Sequence, residues 1–160
     1  MTWRGSTTVK DRIFACLPYL LPIISGLPFG SILFRQFPDL RILLLPLQPV
    51  LFIYNAIPFG LGGLVIFFLL FLLVVRNERI AHFIRFNTMQ AILLDILLVL
   101  CSLVLQILLP ALGNNLVTET LFNVIFLGTV AACGYSIFQS LFGRYAEIPT
   151  LSEAVYAQVR

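Results

Sequence analysis

The residue that most constrains this chain is Asp95, because it stands inside an otherwise uncharged run covering residues 86–118. That run exceeds the about 20 apolar residues an α-helix needs to cross a bilayer. A carboxylate near the centre of such a helix costs on the order of 3 kcal/mol or more in hydrocarbon, so it must face another helix or water. At about 100° per residue, Thr88, Asp95, Ser102 and Gln106 fall within roughly 40° of one another, with Ala91 close beside them. One polar stripe on a membrane helix requires a neighbour, so the chain is a bundle or lines a cavity.

Three further uncharged runs cover residues 13–34, 42–75 and 120–143. Hydrophobic residues make up 60% of the chain and charged ones 11%, with a mean hydropathy of +1.03, which lies outside the soluble globular range. The expected fold is all-α: residues 1–160 as a single polytopic membrane domain with four transmembrane helices, Pro/Gly kinks and short interfacial helices. The spans are placed at about 13–34, 50–75, 87–109 and 120–142. In the first, Pro18, Pro22 and Pro28 each remove a helix hydrogen bond, which predicts kinks or a break at 26–30. As one straight helix the run 42–75 would be about 51 Å long, beyond the ~30 Å hydrocarbon core. Pro46 and Pro49 therefore assign 40–48 to the interface, and the second span starts near Val50 with kinks at Pro58 and 60–63. The sequence LPFG at 27–30 recurs as IPFG at 57–60, which reads as two independent Pro/Gly kinks in preference to a repeat.

The third span is expected to close at Pro110. Before it, residues 76–86 set Ile80, Phe83, Ile84 and Phe86 among Arg76, Arg79, His82 and Arg85, a pattern suited to the lipid headgroup layer, with Glu78 and His82 spaced to pair. The fourth span offers Gly128, Ala132, Tyr135, Ser136 and Gln139 as a helix-packing face, the expected partner of the Asp95 stripe. Thr8 with Asp11 reads as an N-cap for a helix starting near Val9, and Thr150 with Glu153 as the capping box of a tail helix over 150–160.

The N-terminal tail, the 76–86 segment and the C-terminal tail carry eight Lys and Arg residues, against two in the loops between them. With four spans, this puts both termini on the cytoplasmic or stromal side. The net charge of +3 arises from bases that flank apolar runs, so they read as orientation signals and nucleic acid is not an expected partner. Cys16, Cys101 and Cys133 lie scattered in apolar runs, without metal-ligand spacing. No nucleophile with a base and no paired carboxylates can be assembled, so no catalytic residue, cofactor or metal is expected and the chain reads as a non-enzyme. A cleaved signal peptide is not expected either, because the run after Arg12 holds Pro18 and Pro22 and no A-x-A site follows it. Two roles for Asp95 stay open: lining a pathway, or hydrogen-bonding across helices to groups such as Gln139 or Asn123.

FIRFNTMQAILLD at 83–95 and YAEIPTLSEAVYAQV at 145–159, joined to four spans with both ends on one side, resemble the twenty-kilodalton membrane subunit family of the chloroplast inner-envelope protein translocon, in its cyanobacterial or plastid-encoded branch. The resemblance implies a translocon-type channel subunit in a cyanobacterial plasma or thylakoid membrane, or in the plastid inner envelope. The partners it implies are the bilayer, other membrane subunits or further copies of the chain, and a polypeptide substrate. It transfers no catalytic residue. The chain has no Arg- and Ser-rich transit extension, so an imported precursor is not expected. The alternative function is a non-conducting scaffold or assembly subunit of a larger membrane complex.

Overall fold

The computed structural model describes residues 6–159, and among them every regular element is helical. Arg4 and Arg160 of the charge count lie outside the described residues. The first helix, α1 (Val9–Gln36), runs for 28 residues without a break. Thr8 starts it as the sequence suggests: its Oγ1 accepts from the Asp11 N–H at 3.2 Å, while its own N–H donates to Asp11 Oδ2 at 2.9 Å. Pro18 and Pro28 each open a short 3₁₀ turn, Leu17–Tyr19 and Leu27–Gly30. Tightening the turn absorbs the missing N–H, so the prolines modulate α1 and do not break it at 26–30.

The second apolar run departs from the kinked span expected at 50–75. After a ten-residue 3₁₀ segment, Pro38–Leu47, with no buried residue, the chain forms α2 (Gln48–Ala56), reverses, and continues as α3 (Gly62–Val75). The reversal needs two left-handed residues, Phe59 at φ 62° and Gly60 at φ 69°. Past it, Gly62 sits so close to the Tyr54 carbonyl oxygen that a Cβ would collide with it, and the Tyr54 hydroxyl lies against Gly63. Val50 and Ile66 line one cavity, so α2 and α3 are antiparallel arms of a hairpin. The downward arm has nine α-helical residues and a five-residue π turn, Phe71–Val75. Among the described residues, three helices are long and apolar enough to cross a membrane: α1, α4 (His82–Leu112) and α5 (Leu116–Leu141).

Helix α4 starts earlier and ends later than the span expected at 87–109. Pro110 lies inside its last turn, and Gly113 at φ 70° stops the helix. Asn115 then caps α5 by accepting from the Thr118 N–H at 3.1 Å. Tyr19 meets Asn87 low in the bundle and Phe29 clusters with Leu98 and Leu105 higher up, so α1 and α4 run parallel. Helix α3 descends beside α4, bringing Val75 against Phe86, Met89 and Ile92. The tail helix, α6 (Leu151–Gln158), lies on the same cluster through Val155, with Val159 just beyond its end. Both described ends share one end of the bundle, since Gly143 at the foot of α5 lies against Thr7 and Arg12 and the Val159 carbonyl reaches His82.

The capping box expected at Thr150 does not form. Thr150 is left-handed at φ 69° and makes no side-chain cap. Ser152 Oγ instead accepts from the Ile148 N–H at 2.7 Å and donates to Gln90 at 3.1 Å, so docking onto α4 fixes the start of α6.

Candidate functional site

Two polar features stand inside this apolar bundle. The first is a buried knot near the shared end. Tyr19, Asn87, Gln90, Ser136 and Ser140 are all 0% exposed. Asn87 Oδ1 accepts from the Tyr19 hydroxyl at 2.8 Å and from Ser140 at 2.9 Å, while its amide donates to the Phe83 carbonyl at 2.9 Å. Gln90 Nε2 donates to the Ala146 carbonyl at 2.8 Å and lies 3.2 Å from the hydroxyls of both Tyr19 and Ser136. Four segments are tied at one point, with each polar group supplied a partner as a low-dielectric interior demands.

The second feature is a groove between α1, the α2–α3 hairpin and α4. It consists of three adjoining half-open cavities of about 500, 450 and 720 Å³, all touching Tyr54. The whole sequence-derived stripe faces it: Thr88 in the first, Asp95 in the second, Ser102 and Gln106 in the third. Thr88 is sealed, its hydroxyl donating to the Ile84 carbonyl at 2.8 Å. Asp95 is 5% exposed; Ser25 of α1 stands beside its carboxyl group, and its Oδ1 has no hydrogen-bond partner among the described residues. Gln106 Nε2 donates to Ser102 Oγ at 3.3 Å, and Asn55 joins them in the upper cavity.

The stripe does not turn toward α5. Among the described residues Asp95 Oδ1 has no partner, so neither the Asn123 nor the Gln139 amide donates to that oxygen. Of the packing face named from sequence, Ser136 is buried, Ala132 and Gln139 are half-buried, and Gly128 and Tyr135 are exposed. The buried face of α5 is instead Phe126, Thr129, Cys133, Ser136 and Ser140, at helical spacing. The glycines that permit close approach are on α1, where a Cβ on Gly26 would meet Thr129 at 3.1 Å and one on Gly30 would meet Phe126 at 2.7 Å.

The segment 76–86 also divides. Arg76 and Arg79 are exposed, but Phe83 and Phe86 are buried, each with its ring against Tyr145 at 5.1 and 5.0 Å. Arg85 Nε donates to the Val75 carbonyl at 2.8 Å. His82 leaves Glu78 aside: its Nδ1 is 3.0 Å from the Tyr145 hydroxyl and its Nε2 3.3 Å from the Val159 carbonyl oxygen. The tail covers Phe83 and Phe86, while Arg76, Glu78 and Arg79 stay on the exposed surface. Sequence reasoning missed Tyr19, Asn87, Gln90, Ser140 and Ser152; the available signal was Asn87 and Gln90 three residues apart at the mouth of an apolar helix.

The family model described as "Chloroplast import apparatus Tic20-like" matches residues 8–155. A Tic20 family protein of a Synechocystis strain is 51% identical over 94% of both chains. Protein TIC 20-v, chloroplastic, of Arabidopsis thaliana is 34% identical over 96% of this chain and 73% of its own length. The Tic20 family protein Ycf60 of Gracilaria tenuistipitata is also 34% identical, over 95% of this chain and 76% of its own. The match runs from the cap of α1 into α6 and takes in both the groove and the knot, so this chain belongs to the Tic20 family of membrane proteins, which is linked to chloroplast protein import.

Proposed function

We propose that this chain is a subunit of a protein-translocation complex and supplies one wall of the route taken by the passing polypeptide. The observation that carries the reading is the orphaned Asp95 Oδ1 in a groove that continues to Gln106. A polypeptide entering a membrane brings backbone N–H groups that each need an acceptor. Ser25, Tyr54, Asn55, Asp95, Ser102 and Gln106 offer acceptors along the groove, the last three over a rise of about 17 Å on α4. The three cavities are half-open, so further subunits or copies of the chain complete the enclosure.

In this reading the chain crosses the membrane four times, α3 being a short second crossing, with both termini on the cytoplasmic or stromal side. It performs no chemistry of its own. The membrane is a cyanobacterial plasma or thylakoid membrane, or the plastid inner envelope. One observation favours the scaffold alternative: the knot ties α1, α4, α5 and the tail into a unit suited to assembly.

The test is site-specific photocrosslinking to an arrested passenger polypeptide. Probes at Asn55 or Ser102 should capture the passenger, and one at Gly128 should not. Capture of stable neighbouring subunits alone, from all three positions, would establish the scaffold.

A further inference from the structure

We propose that the lowest of the three cavities is a binding site for an anionic phospholipid, with one acyl chain between α1, α3 and α4 and the headgroup among Lys10, Arg76 and Arg79. This inference is independent of the translocation reading, since it concerns the half of the groove below Asp95.

The lining of this cavity is almost wholly hydrocarbon. Phe14 and Leu21 of α1, Ile66, Leu70 and Val74 of α3, and Ile84 of α4 form its walls, over a volume of about 500 Å³. Its polar members are Thr88, whose hydroxyl is already given to the Ile84 carbonyl, and Tyr54 at the far end. Nothing there would recognise a polar solute, whereas a slender apolar chain satisfies every wall.

The near end of the cavity has a different character. Three of its lining residues come from three segments, Phe14, Val74 and Ile80, and each has a base close by in the chain. Lys10 is one helical turn before Phe14, Arg76 two residues past Val74, and Arg79 next to Ile80. All three bases are exposed. The acids nearest these bases in the chain are Asp11 and Glu78, so by formal charge Lys10, Arg76 and Arg79 leave a surplus of one positive charge. Arg12 is held by Thr7 and His82 turns inward to Tyr145, so neither competes for the headgroup. An apolar slot whose lining residues Phe14, Val74 and Ile80 each stand within four residues of an exposed base matches a lipid with an anionic head.

The experiment is native mass spectrometry of the full chain in neutral detergent with added phosphatidylglycerol or phosphatidylcholine. One phosphatidylglycerol should be retained, with a preference of about tenfold, since a surplus of basic charge acts on the headgroup. Ile66→Trp, which fills the slot from a position outside the core clusters, should abolish retention of both lipids. Lys10→Gln with Arg79→Gln should keep an occupant and lose the preference. As a measurement that needs no variant, phosphatidylglycerol carrying a diazirine in its acyl tail should label Ile66, Leu70 or Ile84 in preference to Val130 on the outer face of α5. Equal retention of the two lipids by the unaltered chain, or labelling spread evenly over Val130 and the slot, would overturn the proposal.

Discussion

Tyr19 donates its hydroxyl hydrogen to the Asn87 carboxamide oxygen at 2.8 Å, with both side chains wholly buried, across 68 residues of chain. Ser140 donates to the same oxygen, so one acceptor joins α1, α4 and α5. Replacing Asn87 by Leu leaves two buried hydroxyls without that acceptor and should cost about 1–3 kcal/mol. Tyr19→Phe leaves Asn87 still bonded to Ser140 and should cost about 0.6 kcal/mol, the mean for interhelical hydrogen bonds in a membrane. Thermal unfolding in detergent separates the two; a smaller loss for Asn87→Leu than for Tyr19→Phe would contradict the knot.

Close approach of α1 and α5 depends on Gly30, where an added Cβ meets the Phe126 ring at 2.7 Å. Gly30→Val should therefore push the helices apart and lower stability by about 1–3 kcal/mol through overpacking. Gly128→Val meets nothing within 4 Å and should be close to neutral. The same unfolding assay reads both, and equal effects would return Gly128 to the packing face.

The hairpin makes a prediction that no kinked helix shares. Cysteines placed at Val50 and Ile66, which line one cavity, should be bridged by a short bifunctional thiol reagent. On a continuous helix those positions would stand about 24 Å apart and could not be bridged. Failure to cross-link in membranes would restore the single second span.

Asp95 has an unpaired oxygen where a structural carboxylate would have a partner on α5. Asp95→Asn should assemble normally and slow passage of polypeptide. Asp95→Leu should likewise stay within about 0.6–2 kcal/mol of the parent stability, because the bond it gives up is the one to Ser25. A Leu variant that transports at the parental rate would remove Asp95 from the route.

For orientation, cysteines at Gly113 or Asn115 should react with an impermeant thiol reagent from the non-cytoplasmic side, and cysteines at Ser6 or Ala157 should not. The reverse pattern would invert the proposed topology.

Several of these features are legible in the sequence alone. The Thr8 cap follows from local chemistry, and the stripe on α4 follows from helical period alone, which is why Thr88, Asp95, Ser102 and Gln106 do face one groove. What the stripe faces was not legible, because periodicity names a direction on one helix and no neighbour. LPFG and IPFG illustrate the same limit: the first remains within α1, while the second reverses the chain. The difference lies downstream, where Gly62 and Gly63 let α3 fold against Tyr54 and Ser31 and Ile32 continue the helix. Small residues at four-residue spacing drew attention to Gly128, yet the space between α1 and α5 is made by Gly26 and Gly30. The knot combines residues from 19 to 152 with no shared period, and only the fold brings them together.

Gln90 accepts from Ser152 and donates to the Ala146 carbonyl, so residues from the end of the chain complete a cluster begun by Tyr19. Ala146 and Ser152 follow Gln90 by 56 and 62 residues, so they are made well after it. A chain halted before Ala146 leaves Gln90 with the hydroxyls of Tyr19 and Ser136 but without the Ala146 carbonyl and the Ser152 hydroxyl, so the last residues made are the ones that close the cluster.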